Sequence, residues 1–218
     1  MNFHKSINNL ISIENNIKSI NSNSTIPKII AVSKTFPIID ILPLIDHGHI
    51  HYGENKVQEA LNKWTDIKIK NSNIKLHLIG RLQTNKVKNA LKIFDFIHSL
   101  DSEKLAKKIS EEQVKQDKTP KIFIQVNLGN ENQKSGINKE KLSDFNEFCK
   151  NLNLDIIGTM CIPPNDENIE KYFSEMSDIN KELNFKELSM GMSGDYLEAI
   201  GYNATYVRVG SKIFGNRV

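Results

Sequence analysis

The feature that most constrains this chain is a repeated alternation, in which each short apolar run is followed by a longer amphipathic one. The apolar runs are KIIAVS at 28–33, HIHYG at 49–53, KLHLIG at 75–80, FIHSL at 96–100 and KIFIQVNL at 121–128. They continue with LDIIGTMCI at 154–162, KELSMG at 186–191 and ATYVRVG at 204–210. Their length and β-branched content predict eight strands. Helices are expected between them at 38–47, 55–65, 85–92, 102–116, 139–151, 167–183 and 195–201. A leading helix is expected over 4–20, where Ile7, Leu10, Ile11, Ile13 and Ile17 recur at roughly helical spacing before NSNSTIP ends the segment.

Several of these strands are apolar on both faces, as expected when helices cover the outside and packed side chains fill the inside. Alternating β and α units join parallel strands by right-handed crossovers, and eight of them close into a TIM-type (β/α)8 barrel of the α/β class. A doubly wound open sheet is the competing fold. Pro43 falls within the second helix, and Asp40 as N-cap would place it in the first turn, where a missing N–H costs little. With no repeat longer than the βα unit and no linker, residues 1–218 are expected to form a single domain.

Composition narrows the function classes. A net charge of +3 is too small to argue for a nucleic-acid partner. Of the 29 basic residues only Arg81, Arg208 and Arg217 are arginine, so a lysine chosen at random is a poor catalytic candidate. Cys149 and Cys161 are too few for a disulfide framework or a zinc site of the CxxC kind, and free thiols are expected. The first residues lack a signal-peptide core, and no run approaches the ~18 apolar residues of a membrane span. A cytoplasmic protein with no membrane association is expected, in which the Asn-x-Ser/Thr matches at Asn23 and Asn203 carry no meaning.

In a β/α barrel the loops after the strands converge on one face, and those after the last two strands often hold a phosphate. Here they are MGMSGD at 190–195 and VGSKIFG at 209–215. Glycines let backbone approach a ligand closely, Ser193 and Ser211 can donate hydroxyls, and the helix after the first loop favours an anion. Plain tight turns are the alternative reading. Arg208 precedes Gly210 by two residues and shares its face, unless it serves only a surface ion pair. Lys34 follows the first strand, and barrel closure makes that strand the neighbour of the eighth. A lysine amine beside an anion site fits a phosphorylated aldehyde held as a Schiff base, as pyridoxal phosphate is held.

Those residues also carry a family resemblance. AVSKTFP at 31–37, YGENKVQEA at 52–60, LHLIGRLQTNK at 76–86, IHSLD at 97–101, QVNLGNENQKSGI at 125–137, GTMCIPP at 158–164, LSMGMSGD at 188–195 and VRVGSKIFG at 207–215 together resemble the pyridoxal phosphate homeostasis proteins. These are barrel proteins similar to the N-terminal domain of alanine racemase. The resemblance implies a fold-type III pyridoxal-phosphate-binding barrel with the leading helix. It implies that Lys34 forms the Schiff base, that Ser193, Gly210 and Ser211 bind the phosphate, and that Arg208 faces the pyridine nitrogen. Asn55 and Met190 are expected to line the pocket. Ser211 stands where threonine is more usual, with the hydroxyl retained.

An arginine against the ring nitrogen disfavours its protonation and weakens the ring as an electron sink, which argues against transamination and leaves racemisation chemically possible. Racemisation also needs a second acid/base, which alanine racemases take from a further domain, whereas this sequence ends at Val218. None of Tyr52, Tyr172, Tyr196, Tyr202 and Tyr206 is spaced as a substitute. His49 and His51 are expected as a satisfied surface pair rather than metal ligands, and His77 and His98 as structural. The expectation is a monomeric protein that binds pyridoxal 5'-phosphate reversibly for vitamin B6 homeostasis, without turnover and without a metal, with apo-enzymes as candidate recipients. The alternatives are an amino-acid racemase and a barrel enzyme for a phosphorylated sugar. Lys134 and Lys212, in loops on the same face, are the competing sites of amine chemistry.

Overall fold

The computed structural model describes residues 4–20, 26–129, 135–164 and 168–215. Its strands are β1 Lys28–Val32, β2 His51–Glu54, β3 Lys75–Leu78, β4 Phe96–Leu100, β5 Lys121–Asn127, β6 Ile137–Asn138, β7 Ile156–Cys161, β8 Glu187–Met192 and β9 Tyr206–Val209. They pair in the order β4-β3-β2-β1-β9-β8-β7-β5-β6, and a further β4–β5 pairing closes the sheet. Every pairing is parallel. The two-residue β6 only extends the edge of β5, so the closed barrel has the eight expected strands and the open sheet is excluded.

The helices are α1 Lys5–Ile20, α2 Ile38–Asp46, α3 Val57–Lys70, α4 Val87–Ile93, α5 Glu103–Gln116, α6 Leu142–Asn151, α7 Ile169–Glu182, α8 Tyr196–Gly201 and α9 Ser211–Phe214. Burial follows the two-residue period of the strands. Ile29, Ala31, Leu76, Ile97, Ile122, Val207 and Val209 join the helices in one large apolar layer outside the barrel. Ile30, Phe96, Phe123, Met160 and Tyr206 form a second, smaller cluster inside it. None of the described helices is long and apolar enough to cross a membrane.

One capping expectation is corrected. Pro37, extended at φ −67° and ψ 157°, is the N-cap of α2, so the helix begins before Asp40 and Pro43 lies in its interior. The bond that Pro43 cannot donate would have gone to the carbonyl of Ile39, which is 67% exposed, and water is at hand to replace it.

The histidines are corrected more strongly. His49 and His51 are not a surface pair: Nε2 of His49 lies 2.9 Å from the carbonyl oxygen of His51, and Nδ1 of His51 lies 2.9 Å from Nε2 of His77 inside the barrel. Burial lowers His49 and His51 to about 4, and it holds the fully enclosed His77 and His98 well below the usual histidine range. Folding therefore requires these four groups to be neutral, while the unfolded chain protonates them below pH ~6.5. The sign follows: as the pH falls from 7 to 5.5 the unfolded state gains protons that the folded state does not. Stability should drop by about 1 kcal/mol per histidine over that interval, to be read as a lower urea midpoint at pH 5.5. An unchanged or higher midpoint would contradict the burial of neutral imidazoles.

Candidate functional site

Closure of the barrel decides what meets at its carboxyl mouth. β1 pairs with β9 with Ile30 opposite Arg208 and Ala31 opposite Val209, so the turn carrying Lys34 lies beside the loop carrying Gly210 and Ser211. Lys34, Asn55, Ser193, Arg208, Gly210 and Ser211 line one cavity of about 500 Å³, with Val32, Ile79, Ile162 and Met192 as its apolar walls. Among the described residues lining it, none is a carboxylate. A cavity of this size suits a small ligand.

The backbone around Lys34 is clamped from behind. Thr35 adopts a left-handed φ of 69°, which a β-branched residue keeps only under constraint. Its N–H donates to Glu59 Oε1 at 2.7 Å, and Lys63 Nζ donates to the Ser33 carbonyl at 3.0 Å. Lys63 also bridges Glu59 and Glu54, each at 3.0 Å. Glu54 is fully buried, and its Oε1 further accepts from Ser33 Oγ at 2.8 Å and Trp64 Nε1 at 3.0 Å. Two carboxylates and one ammonium thus tie the end of β1 to α3.

Asn55 reaches the mouth because Gly80 makes room: a Cβ on Gly80 would lie 2.5 Å from the Asn55 carbonyl oxygen. Strand β8 bends near its end at Gly191, where its register against β9 shifts; the φ of +86° there is open to glycine, and a Cβ would meet Ala199 at 2.6 Å. Asp195 closes the loop after β8 by accepting the Met192 N–H. Ser193 Oγ then accepts the Gly210 N–H at 3.1 Å, joining the two glycine-rich loops and leaving its hydroxyl hydrogen to donate elsewhere.

Arg208 is only 5% exposed. Its Nη1 donates to the carbonyl and Oγ of Ser189 at 2.9 and 2.8 Å, and its Nη2 to the carbonyl of Cys161 at 2.8 Å. Its partners among the described residues are neutral oxygens. Burial lowers its proton affinity from the usual arginine value. A buried cation met only by neutral oxygens has electrostatic capacity left for an anion or a lone pair. Cys161 offers no thiolate there, since burial pushes it up to about 12, and the same cause raises buried Cys149 to about 12.

Of the sequence-predicted residues, Lys34, Asn55, Ser193, Arg208, Gly210 and Ser211 come together. Met190 does not join them. It is fully buried in the layer outside the barrel, because Ser189 points inward and the next residue along a strand points out. Met192, the last residue of β8 and beyond the register shift at Gly191, lines the cavity in its place. Lys212 is exposed, with Nζ 4.9 Å from the centre of the Tyr196 ring, and Lys134 lies outside the described residues. Sequence reasoning missed the Glu54–Glu59–Lys63 clamp, although the i,i+4 spacing of Glu59 and Lys63 was a usable signal. It also missed Ser189, for which no signal was present.

The chain matches the family described as alanine racemase, N-terminal domain, over residues 9–218. A protein of Aquifex aeolicus named pyridoxal phosphate homeostasis protein is 38% identical over 200 residues, covering 87% of both chains. The solved structure of PipY from Synechococcus elongatus, described as having PLP bound, superposes with a TM-score of 0.82 at 32% identity, covering 93% of this chain and 100% of that one. A histidine racemase of Leuconostoc mesenteroides shares the fold at 19% identity, with a TM-score of 0.73 over 97% of this chain and 57% of its own.

The clamp makes a direct prediction. Lys63→Met should cost about 3 kcal/mol, because it strands the buried Glu54 charge, whereas Glu54→Leu combined with Lys63→Met should recover much of that loss. Denaturant unfolding of the two variants checks this, and additive losses would contradict the coupling.

Proposed function

Because this chain belongs to the alanine racemase N-terminal domain family and to the pyridoxal phosphate homeostasis proteins within it, we propose that it binds pyridoxal 5'-phosphate at the carboxyl mouth and serves vitamin B6 homeostasis without turnover. In this reading residues 1–218 act as one cytoplasmic, monomeric domain, and apo-enzymes in need of the cofactor are candidate recipients. The observation that carries the reading is the convergence of Lys34, the buried Arg208 and two hydroxyl-bearing loops on a cavity whose described lining holds no carboxylate.

The residues fit the group. When bound, it supplies an electrophilic aldehyde carbon, a ring nitrogen lone pair and a phosphate. Lys34 would hold the group through its amine at the aldehyde carbon. The Ser193 hydroxyl hydrogen, which the Gly210 contact leaves available, and the Ser211 hydroxyl donate to phosphate oxygens. Asn55 and the apolar walls Ile79 and Ile162, which line the cavity, would flank the ring. Arg208 would face the ring nitrogen with its positive charge and disfavour protonation there, since a pyridinium would set two cations together beside a guanidinium that is only 5% exposed.

That last point argues against transamination, and the lining bears on racemisation. An unprotonated ring draws electrons weakly, and the ionisable groups among the described lining residues are Lys34 and Arg208. The alternative, a racemase-like enzyme, requires a second acid/base on the far side of the substrate.

An absorbance spectrum before and after borohydride, with peptide mapping of the reduced adduct, tests the site. The adduct is expected on Lys34 and absent from Lys34→Ala; an adduct mapped to Lys212 or Lys134 would overturn the assignment. Proton exchange at Cα of L- or D-alanine in deuterated water is expected to be absent. Exchange that Lys34→Ala abolishes would establish the racemase reading instead.

A further inference from the structure

Arg208 is the inner end of a hydrogen-bonded column that crosses the barrel. Its Nη1 lies 2.8 Å from Ser189 Oγ, which lies 3.0 Å from His98 Nδ1. His98 Nε2 lies 2.9 Å from His77 Nδ1, and His77 Nε2 lies 2.9 Å from His51 Nδ1. Ser189, His98 and His77 are fully buried. His51, partly exposed, begins β2 at the amino mouth and lines a small cavity there with Glu14, Lys18 and His49. Phe96 stacks on His77 and Phe123 on His98, each with ring centres 4.2 Å apart, so apolar rings flank the column.

A neutral imidazole carries one N–H and one bare nitrogen, so three in series are all satisfied only if every proton points the same way. If they point toward Arg208, His98 Nδ1–H donates to a Ser189 oxygen that already accepts from the guanidinium, and the serine hydrogen has no acceptor in the column. If they point away, Ser189 accepts from Arg208 and donates to His98 Nδ1, and the Nε2–H groups of His98 and His77 donate onward. Electrostatics selects the same direction. Protons pointing away turn the bare nitrogen of each ring toward the guanidinium, and aligned bonds of this kind reinforce one another. At the far end Lys28, Lys75 and Asp95 act on His51, but Lys28 is half exposed and paired with Glu187 at 3.1 Å, whereas Arg208 is buried among neutral partners.

We infer that Ser189, His98, His77 and His51 are positioning residues of the ligand site, a column polarised in one direction that holds Arg208 in place and fixes which of its N–H groups face the cavity. The inference rests on the reading that this cavity takes pyridoxal phosphate. It makes His77, which does not line the cavity, a determinant of how Arg208 meets the ring nitrogen.

Two measurements test it. In cofactor-free protein labelled with ¹⁵N-histidine, long-range ¹H–¹⁵N spectra at neutral pH should show His98 and His77 as single tautomers, with protonated Nε2 and bare Nδ1. Nδ1–H tautomers, or a mixture, would overturn the polarity. In His77→Phe, which keeps an aromatic ring against Phe96, the adduct should still form on Lys34, while affinity for pyridoxal phosphate falls about tenfold and the bound absorbance maximum moves. A folded His77→Phe with unchanged affinity and spectrum would reduce the column to packing and sink the inference while leaving the Lys34 assignment intact. If wild-type protein forms no Lys34 adduct, the functional reading fails, and the tautomers alone decide the column's polarity.

Discussion

The parallel pairing of β1 with β9 is the constraint on which the site depends. It completes the barrel and, in the same register, sets Ile30 against Arg208 and Ala31 against Val209. Residues far apart in the sequence thereby share one mouth: the amine of Lys34 on one side and the two glycine-rich loops on the other. Neither half has the chemistry alone. A lysine at a strand end is one among many in this chain, and a glycine-rich turn with a serine is an ordinary turn until a cation stands beside it.

Two buried charges support that mouth in opposite ways. Glu54 is compensated at once by Lys63 and by two neutral donors, and its task is to fix the turn from Ser33 to Thr35. Arg208 makes its hydrogen bonds to neutral oxygens of Ser189 and Cys161, and the carboxylate that acts on it, Asp195, forms no ion pair with it, so its charge faces the cavity. A compensated pair makes a rigid wall, and a lone buried cation makes a recognition element. The energetic cost of keeping Arg208 charged at 5% exposure is reasonable if a ligand and an oriented column of dipoles share it.

The fold was largely legible because apolar runs of strand length alternate with amphipathic ones, a pattern that survives uncertainty at individual ends. β6, at two residues, is too short to carry any period. The start expected for α2 at residue 38 matches the structure, but its cap is Pro37 rather than Asp40, which is a good cap in isolation and lies in the first turn here. At the site, Lys34, Ser193, Arg208, Gly210 and Ser211 could be placed from strand ends and loops alone. Met190 could not, since assigning it to the pocket required the inward and outward parity of β8, which Ser189 reveals only through its bonds to His98 and Arg208. The histidines show the same limit: His77 and His98 read as structural strand residues, but their contact with each other and with His51 depends on register between strands, which no single strand encodes.

The most direct test of the account is a crystal structure of the protein grown with pyridoxal phosphate. It should show density continuous from Lys34 Nζ into the cavity, the phosphate between the loops at Ser193 and Ser211, and the ring nitrogen facing Arg208. A ligand bound elsewhere, or one in this cavity with its phosphate against Arg208 and its aldehyde away from Lys34, would contradict it.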